Sequence, residues 1–105
     1  MFNSNRPEPD LLKTVLEPLL DDFQYWFSRS RTLLETENLS FLSDEEHADL
    51  LERVIQTQQE VNTVQALLKA TDGQAGVDTS ILVTWHHLVS ECWQVSMKLR
   101  SQKSP

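Results

Sequence analysis

Apolar residues in the first third of the chain recur at alternating steps of four and three: Leu12, Leu16, Leu19, Phe23, Trp26, Ser30 and Leu33, flanked by Val15, Leu20, Phe27 and Leu34. Such spacing keeps one side of a helix apolar, so it predicts a long amphipathic helix with Phe23 and Trp26 on its core stripe. The helix should begin near Pro9 or Asp10, because the prolines of Arg6-Pro7-Glu8-Pro9-Asp10 suit a lead-in or first turn and the acids suit a helix N-terminus. It should end near Glu37. Pro18 removes a backbone donor and crowds the preceding turn, so the helix is expected to be kinked or broken there, and the unbroken apolar phase favours the kink. A helix of this length spans roughly 40 Å and requires long partners.

Ser43-Asp44-Glu45-Glu46 announces a second helix as a capping box, in which the serine caps the backbone and Glu46 reaches back to it. Leu50, Val54, Thr57, Val61, Val64 and Leu68 trace its inner stripe, and Asp72-Gly73 supplies a left-handed stop. The middle is thin in apolar residues. Gln58 and Gln65 fall one heptad apart at the edge of the stripe, which narrows the buried face. Both glycines of the chain lie in Asp72-Gly73-Gln74-Ala75-Gly76-Val77, which reads as the clearest hinge.

Asp78, Thr79 and Ser80 can each cap a third helix, whose stripe is Ile81, Trp85, Leu88, Cys92, Val95 and Leu99. Leu82, Val89, Trp93 and Met97 form a second apolar row about 100° around from the first. Helices over residues 9–37, 43–71 and 79–101, joined by short connections, predict an all-α antiparallel three-helix bundle occupying 1–105 as one domain. The second row on the last helix exceeds what such a bundle needs, so it is expected either to lie under the first helix or to meet a partner.

With 105 residues there is room for one core, and 39% apolar with 24% charged residues marks a chain that folds. No apolar run approaches the roughly 20 residues that cross a bilayer, and the start lacks the apolar stretch of a secretory signal, so a cytoplasmic protein is expected. Cys92 is the single cysteine, which fits a reducing compartment. A net charge of −7 repels phosphate backbones and anionic membrane surfaces and argues against a nucleic-acid partner. Lys98, Arg100 and Lys103 make a short basic end that offsets the helix dipole or makes a local anionic contact.

Catalytic signatures are missing from the sequence. Asp21-Asp22 and Glu45-Glu46 are helix neighbours that point about 100° apart and do not share a site. Cys92 lies in the apolar stripe, where a thiol stays protonated and inert. His47, in the first turn of the second helix, reads as a partly exposed packing residue. His87 and Glu91 have the i, i+4 spacing of two metal ligands, with His86 and Cys92 beside them, yet a stable site takes three or four ligands. No enzyme activity, cofactor or metal is therefore expected. The alternative reading is a helical bundle that binds a small ligand or metal through His86, His87 and Glu91.

The leading expectation is a protein-protein interaction module, acting as adaptor, regulator or assembly factor, with a protein partner or a second copy of itself. The candidate surface is Leu82, His86, Val89, Trp93, Met97 and Arg100 on the last helix, with Tyr25 on the polar side of the first beside Asp22 and Arg29. Trp93 leads it, because a tryptophan in an apolar row that ends at an arginine has the composition of an interface anchor.

The run Glu8-Pro9-Asp10-Leu11-Leu12-Lys13-Thr14-Val15-Leu16-Glu17-Pro18-Leu19-Leu20, followed by Asp22-Phe23-Gln24-Tyr25-Trp26-Phe27 and later by Glu91-Cys92-Trp93, resembles a small cyanobacterial family of domains of unknown function. The resemblance covers nearly the whole chain. It brings no catalytic residue or ligand, and implies a cyanobacterial cytoplasm with a photosynthesis-linked setting.

Overall fold

A computed structural model describes residues 9–72 and 77–103. They form a bundle of three helices, α1 (Pro9–Thr36), α2 (Asp44–Ala70) and α3 (Thr79–Lys103), with no strand among the described residues. The predicted boundaries agree to within one or two residues. α1 runs unbroken through Pro18 as one helix of 28 residues, so the alternative of a break is corrected. A single missing donor in a helix of this length leaves the remaining turns to carry it across the proline. Gly73 and Gly76 of the expected hinge lie outside the described residues.

Caps fix the helix ends. Ser43 Oγ accepts from the Glu46 backbone N–H at 3.0 Å while the Glu46 carboxylate accepts from the Ser43 N–H at 2.9 Å, closing the predicted box. These bonds, that from the backbone first, hold the Glu46 carboxyl below the usual carboxylate range. Of the three candidate caps for α3, Asp78 takes the place: its carboxylate accepts from the Ser80 N–H at 3.0 Å, which lowers its pKa in the same way. α2 stops at Thr71, and the left-handed residue is Asp72, with φ 52°. An aspartate tolerates that region better than most side chains.

The core is continuous: Leu16, Leu20, Phe23, Phe27 and Leu34 of α1 meet Leu50, Val54, Val61 and Leu68 of α2 and Trp85, Leu88 and Cys92 of α3. Phe23 stacks on Phe27 at 6.0 Å and meets Trp85 edge to face at 5.4 Å. Trp85, 1% exposed, sends its indole N–H outward to Glu60 at 2.9 Å, so the buried ring leaves no polar atom unmet. Between α1 and α2 the link Glu37–Ser43 folds Leu39 into the core, with Phe41 and Leu42 packed against it. His47 Nε2 donates to the Leu34 carbonyl at 2.6 Å, tying α2 to the end of α1.

α1 makes the close backbone approaches, to α2 and to α3. Its seam with α2 is polar on the outside. Gln65 donates to Asp21 at 3.1 Å, Gln24 to Asn62 at 2.5 Å, Gln58 to Ser28 at 3.1 Å and Arg31 to Gln58 at 3.3 Å, with residue numbers rising on one helix as they fall on the other. The two glutamines that narrow the stripe of α2 thus bind α1 instead of packing on it. Long side chains join α2 to α3, chiefly Trp85 to Glu60 and Arg53 to Glu91. Glu91, through two hydrogen bonds of 2.7 and 3.2 Å, raises the Arg53 pKa above the usual guanidinium value.

Two positions correct the predicted stripes. Trp26 is 43% exposed, because the buried face of α1 passes through Leu20 and Phe27 and leaves Trp26 on its α3-side edge. Ile81, in the first turn of α3, is also exposed, since that turn leans on the core through its neighbour Leu82 and the fully buried face of the helix begins at Trp85. The side chain of Leu12 lies outside the described residues.

Candidate functional site

The seam between α1 and α3 is built differently from the other two. Where α1 and α2 close their outer edge with amides, the C-terminal halves of α1 and α3 leave a cleft of about 930 Å³. Its origin is a mismatch of side-chain size. Along the facing edges, α1 sets Trp26, Ser30 and Leu33 in the lining, with Glu37 just past its end, and α3 sets Val89, Trp93, Ser96 and Arg100. Ser30 and Ser96 are too small to fill the middle, while the two tryptophans stand at the sides. Leu34, Leu50 and Cys92, all buried, form the floor, so the cleft reaches the core.

Its rim is polar and mostly cationic. Arg29, Arg100 and Lys103 line it together with a single carboxylate, Glu37, which Lys103 pairs with. Arg29 donates to the Tyr25 hydroxyl at 2.9 Å and sits 5.6 Å over that ring; among the described residues neither Arg29 nor Arg100 pairs with a carboxylate. The cleft thus carries positive charge in a chain whose net charge is −7. Tyr25 packs edge to face on Trp26 at 5.2 Å and so buttresses it from outside.

Of the predicted surface, the structure brings Val89, Trp93 and Arg100 to this cleft. Trp93 is 56% exposed. Leu82 is half-buried and packed against the core; His86 and Met97 are exposed but do not line the cleft, and Tyr25 stands behind Trp26. The extra apolar row is therefore divided: its first half leans on the bundle and its second half meets solvent. Sequence reasoning missed Trp26, Leu33 and Arg29, and the available signal was the alternation of tryptophan and serine at 26, 30, 93 and 96. Of the basic end, Arg100 and Lys103 reach the cleft while Lys98 covers the Phe41 ring at 5.0 Å.

The residues of the metal or ligand alternative do not converge. Glu91 has both oxygens on Arg53, a cation in the place a metal would take, and His87 shares a shallow groove of about 230 Å³ with that pair. His86 points about 100° away from His87. No three His, Cys, Asp or Glu side chains come together among the described residues. Burial raises the Cys92 thiol pKa, so the sulfur on the floor of the cleft stays protonated.

No helix among the described residues is long and apolar enough to cross a membrane. The chain belongs to the family described as Protein of unknown function (DUF2605), whose model matches residues 6–101. No curated protein and no solved structure matches it.

Proposed function

We propose that this chain is a non-enzymatic docking module, an adaptor, regulator or assembly factor, that receives a segment of another protein in the α1/α3 cleft. One observation carries the reading: Trp26 and Trp93 stand half out of the surface on opposite walls of a cleft whose floor is core. Rigid aromatic rings beside arginines are the residues that dominate binding energy at interfaces, and their exposure beside a cavity gives an incoming apolar side chain both a socket and a lid. Supporting the choice of binding over catalysis, the lining is dominated by aromatic, aliphatic, hydroxyl and cationic groups, its one carboxylate, Glu37, is held by Lys103, and its thiol stays protonated. A cytoplasmic setting, in a cyanobacterium as the resemblance implies, suits a module with a single, reduced cysteine.

The test is capture from extract with four baits: the natural chain, Trp26→Asp, Trp93→Asp and, on the exposed far side of α2, Thr63→Asp. Circular dichroism establishes first that all four are folded. A protein held by the natural chain and by Thr63→Asp, and lost with both tryptophan variants, is the expected result. Retention by all four baits would contradict the proposal.

A further inference from the structure

The geometry points to the class of partner: an acidic amphipathic helix, about three turns long, laid into the α1/α3 cleft with apolar side chains down and carboxylates toward Arg29 on one wall and Arg100 and Lys103 on the other. This rests on the docking function proposed above and specifies its ligand.

A helix is the favoured conformation because of what the walls lack. Both are α-helices, whose backbone groups are already paired within themselves, so an extended peptide entering the cleft would find side chains but no ladder of N–H and C=O groups to bond. A helix brings its own hydrogen bonds. The first wall runs from Trp26 on α1 to Glu37 just past its end, and the second from Val89 to Lys103 on α3, roughly 16 to 21 Å at the helical rise. That length receives about 11–14 residues, with anchors at i, i+3 or i+4, and i+7, and a fourth helix set there completes a four-helix arrangement over the cleft between the half-exposed walls.

Charge selects the partner's sign. Sixteen acidic residues against nine basic would draw a basic partner to almost any other face, yet three of the nine cations line this cleft with one carboxylate among them. Arg29 stands toward the Trp26 end on α1, and Arg100 and Lys103 toward the Glu37 end on α3, so acids are called for on both flanks of the incoming stripe. The same arrangement disfavours a second copy. A two-fold contact through the cleft would set the cationic rim of one chain against that of the other, and a head-to-tail contact would not close.

The experiment uses the full chain labelled at its three tryptophan indoles and a panel of lactam-stapled peptides of about 14 residues. These carry leucine, phenylalanine or tryptophan anchors, with flanks of glutamate or, in matched copies, lysine. Glutamate peptides should move the indole signals of Trp26 and Trp93, leave that of buried Trp85, and bind at least about 10-fold more tightly than their lysine copies at low salt. Arg29→Glu combined with Arg100→Glu should reverse that preference in a protein whose circular dichroism is unchanged. Equal or tighter binding of lysine peptides would overturn the acidic partner while leaving docking in the cleft intact. Silence of both series would overturn the helical ligand, and if decanoate alone moved the same indole signals the cleft would be a site for a small anionic amphiphile. A concentration-dependent dimer in light scattering, dissociated by Trp93→Asp, would assign the cleft to a second copy and overturn the inference. Loss of the docking function itself would show separately, as capture indifferent to Trp26 and Trp93.

Discussion

Replacing Trp85 and Trp93 by alanine, one at a time, makes the same chemical change twice on α3, eight residues apart in sequence, and the structure predicts very different costs. Trp85 is 1% exposed and wedged edge to face against Phe23. Truncating a buried tryptophan costs about 3–5 kcal/mol through lost transfer energy and the cavity left behind. Glu60, which loses its indole partner, is exposed and turns to water, so no unpaired buried group adds to the figure. Trp93 is 56% exposed and leaves an open cleft wall, not a closed cavity. Alanine at either site gains a few tenths of a kcal/mol in helix propensity. The net cost at Trp93 is therefore about 0–1 kcal/mol, within the range of surface substitutions. A difference of about 3 kcal/mol is large for a domain whose whole stability is of the order of 5–15 kcal/mol, and it separates the melting temperatures by about 12–24 °C. Urea unfolding followed by far-ultraviolet circular dichroism reads the two midpoints directly. Variants equal to within about 1 kcal/mol, or Trp93→Ala the costlier, would refute the placement of the second apolar row of α3 at the surface and with it the cleft.

Four further outcomes follow from the cap, the polar seam and the buried thiol. Ser43→Ala removes the N-cap of α2 and should cost about 1 kcal/mol in the same urea assay, and no change would remove the capping box from the account. Because Ser43 depresses the Glu46 pKa in the folded state, the Glu46 carboxylate stabilises the fold above its ordinary value of 4.5 and that contribution is lost as pH falls below it; Asp78 behaves likewise below 3.8. Glu46→Gln should accordingly flatten the acid limb of the urea midpoint against pH, and an unchanged limb would contradict the assignment. Gln24→Ala strips the α1/α2 seam of its bonds to Asn62 and Gln65 and should lower stability by about 1 kcal/mol, read against an unaffected control at exposed Thr63. Iodoacetamide should label Cys92 slowly in the folded chain and rapidly in urea, whereas a native rate equal to that of free cysteine would place the thiol outside the core.

How far the fold was legible follows from which forces write it. The capping box at Ser43, the inner stripe of α2 and the buried Trp85, Leu88 and Cys92 are set by local hydrogen bonds and by the helical period, and both stand in the sequence. Trp26 was misread because two adjacent registers on α1 satisfy the same four-three rule: one runs through Leu19 and Trp26, the other through Leu20 and Phe27, and they share Leu16 and Phe23. Only the positions of α2 and α3 decide between them. Leu39 was invisible for another reason, since a link residue has no period to betray its burial. The cleft was half legible. The surplus row holding Trp93 was apparent from α3 alone, but the cavity comes from Ser30 and Ser96 facing one seam, and which residues share a seam is a property of packing.

The central claim, that the α1/α3 cleft receives an acidic helix of another protein, is met most directly by placing a photoreactive phenylalanine analogue at position 93, irradiating in cell extract, and locating the crosslinked residue on the captured protein by mass spectrometry. A crosslink within a short acidic amphipathic segment, at an apolar residue flanked by carboxylates, is expected, and its loss when Trp26→Asp is added. Crosslinks to the chain itself, or to a basic segment, or at equal yield from position 63, would contradict it.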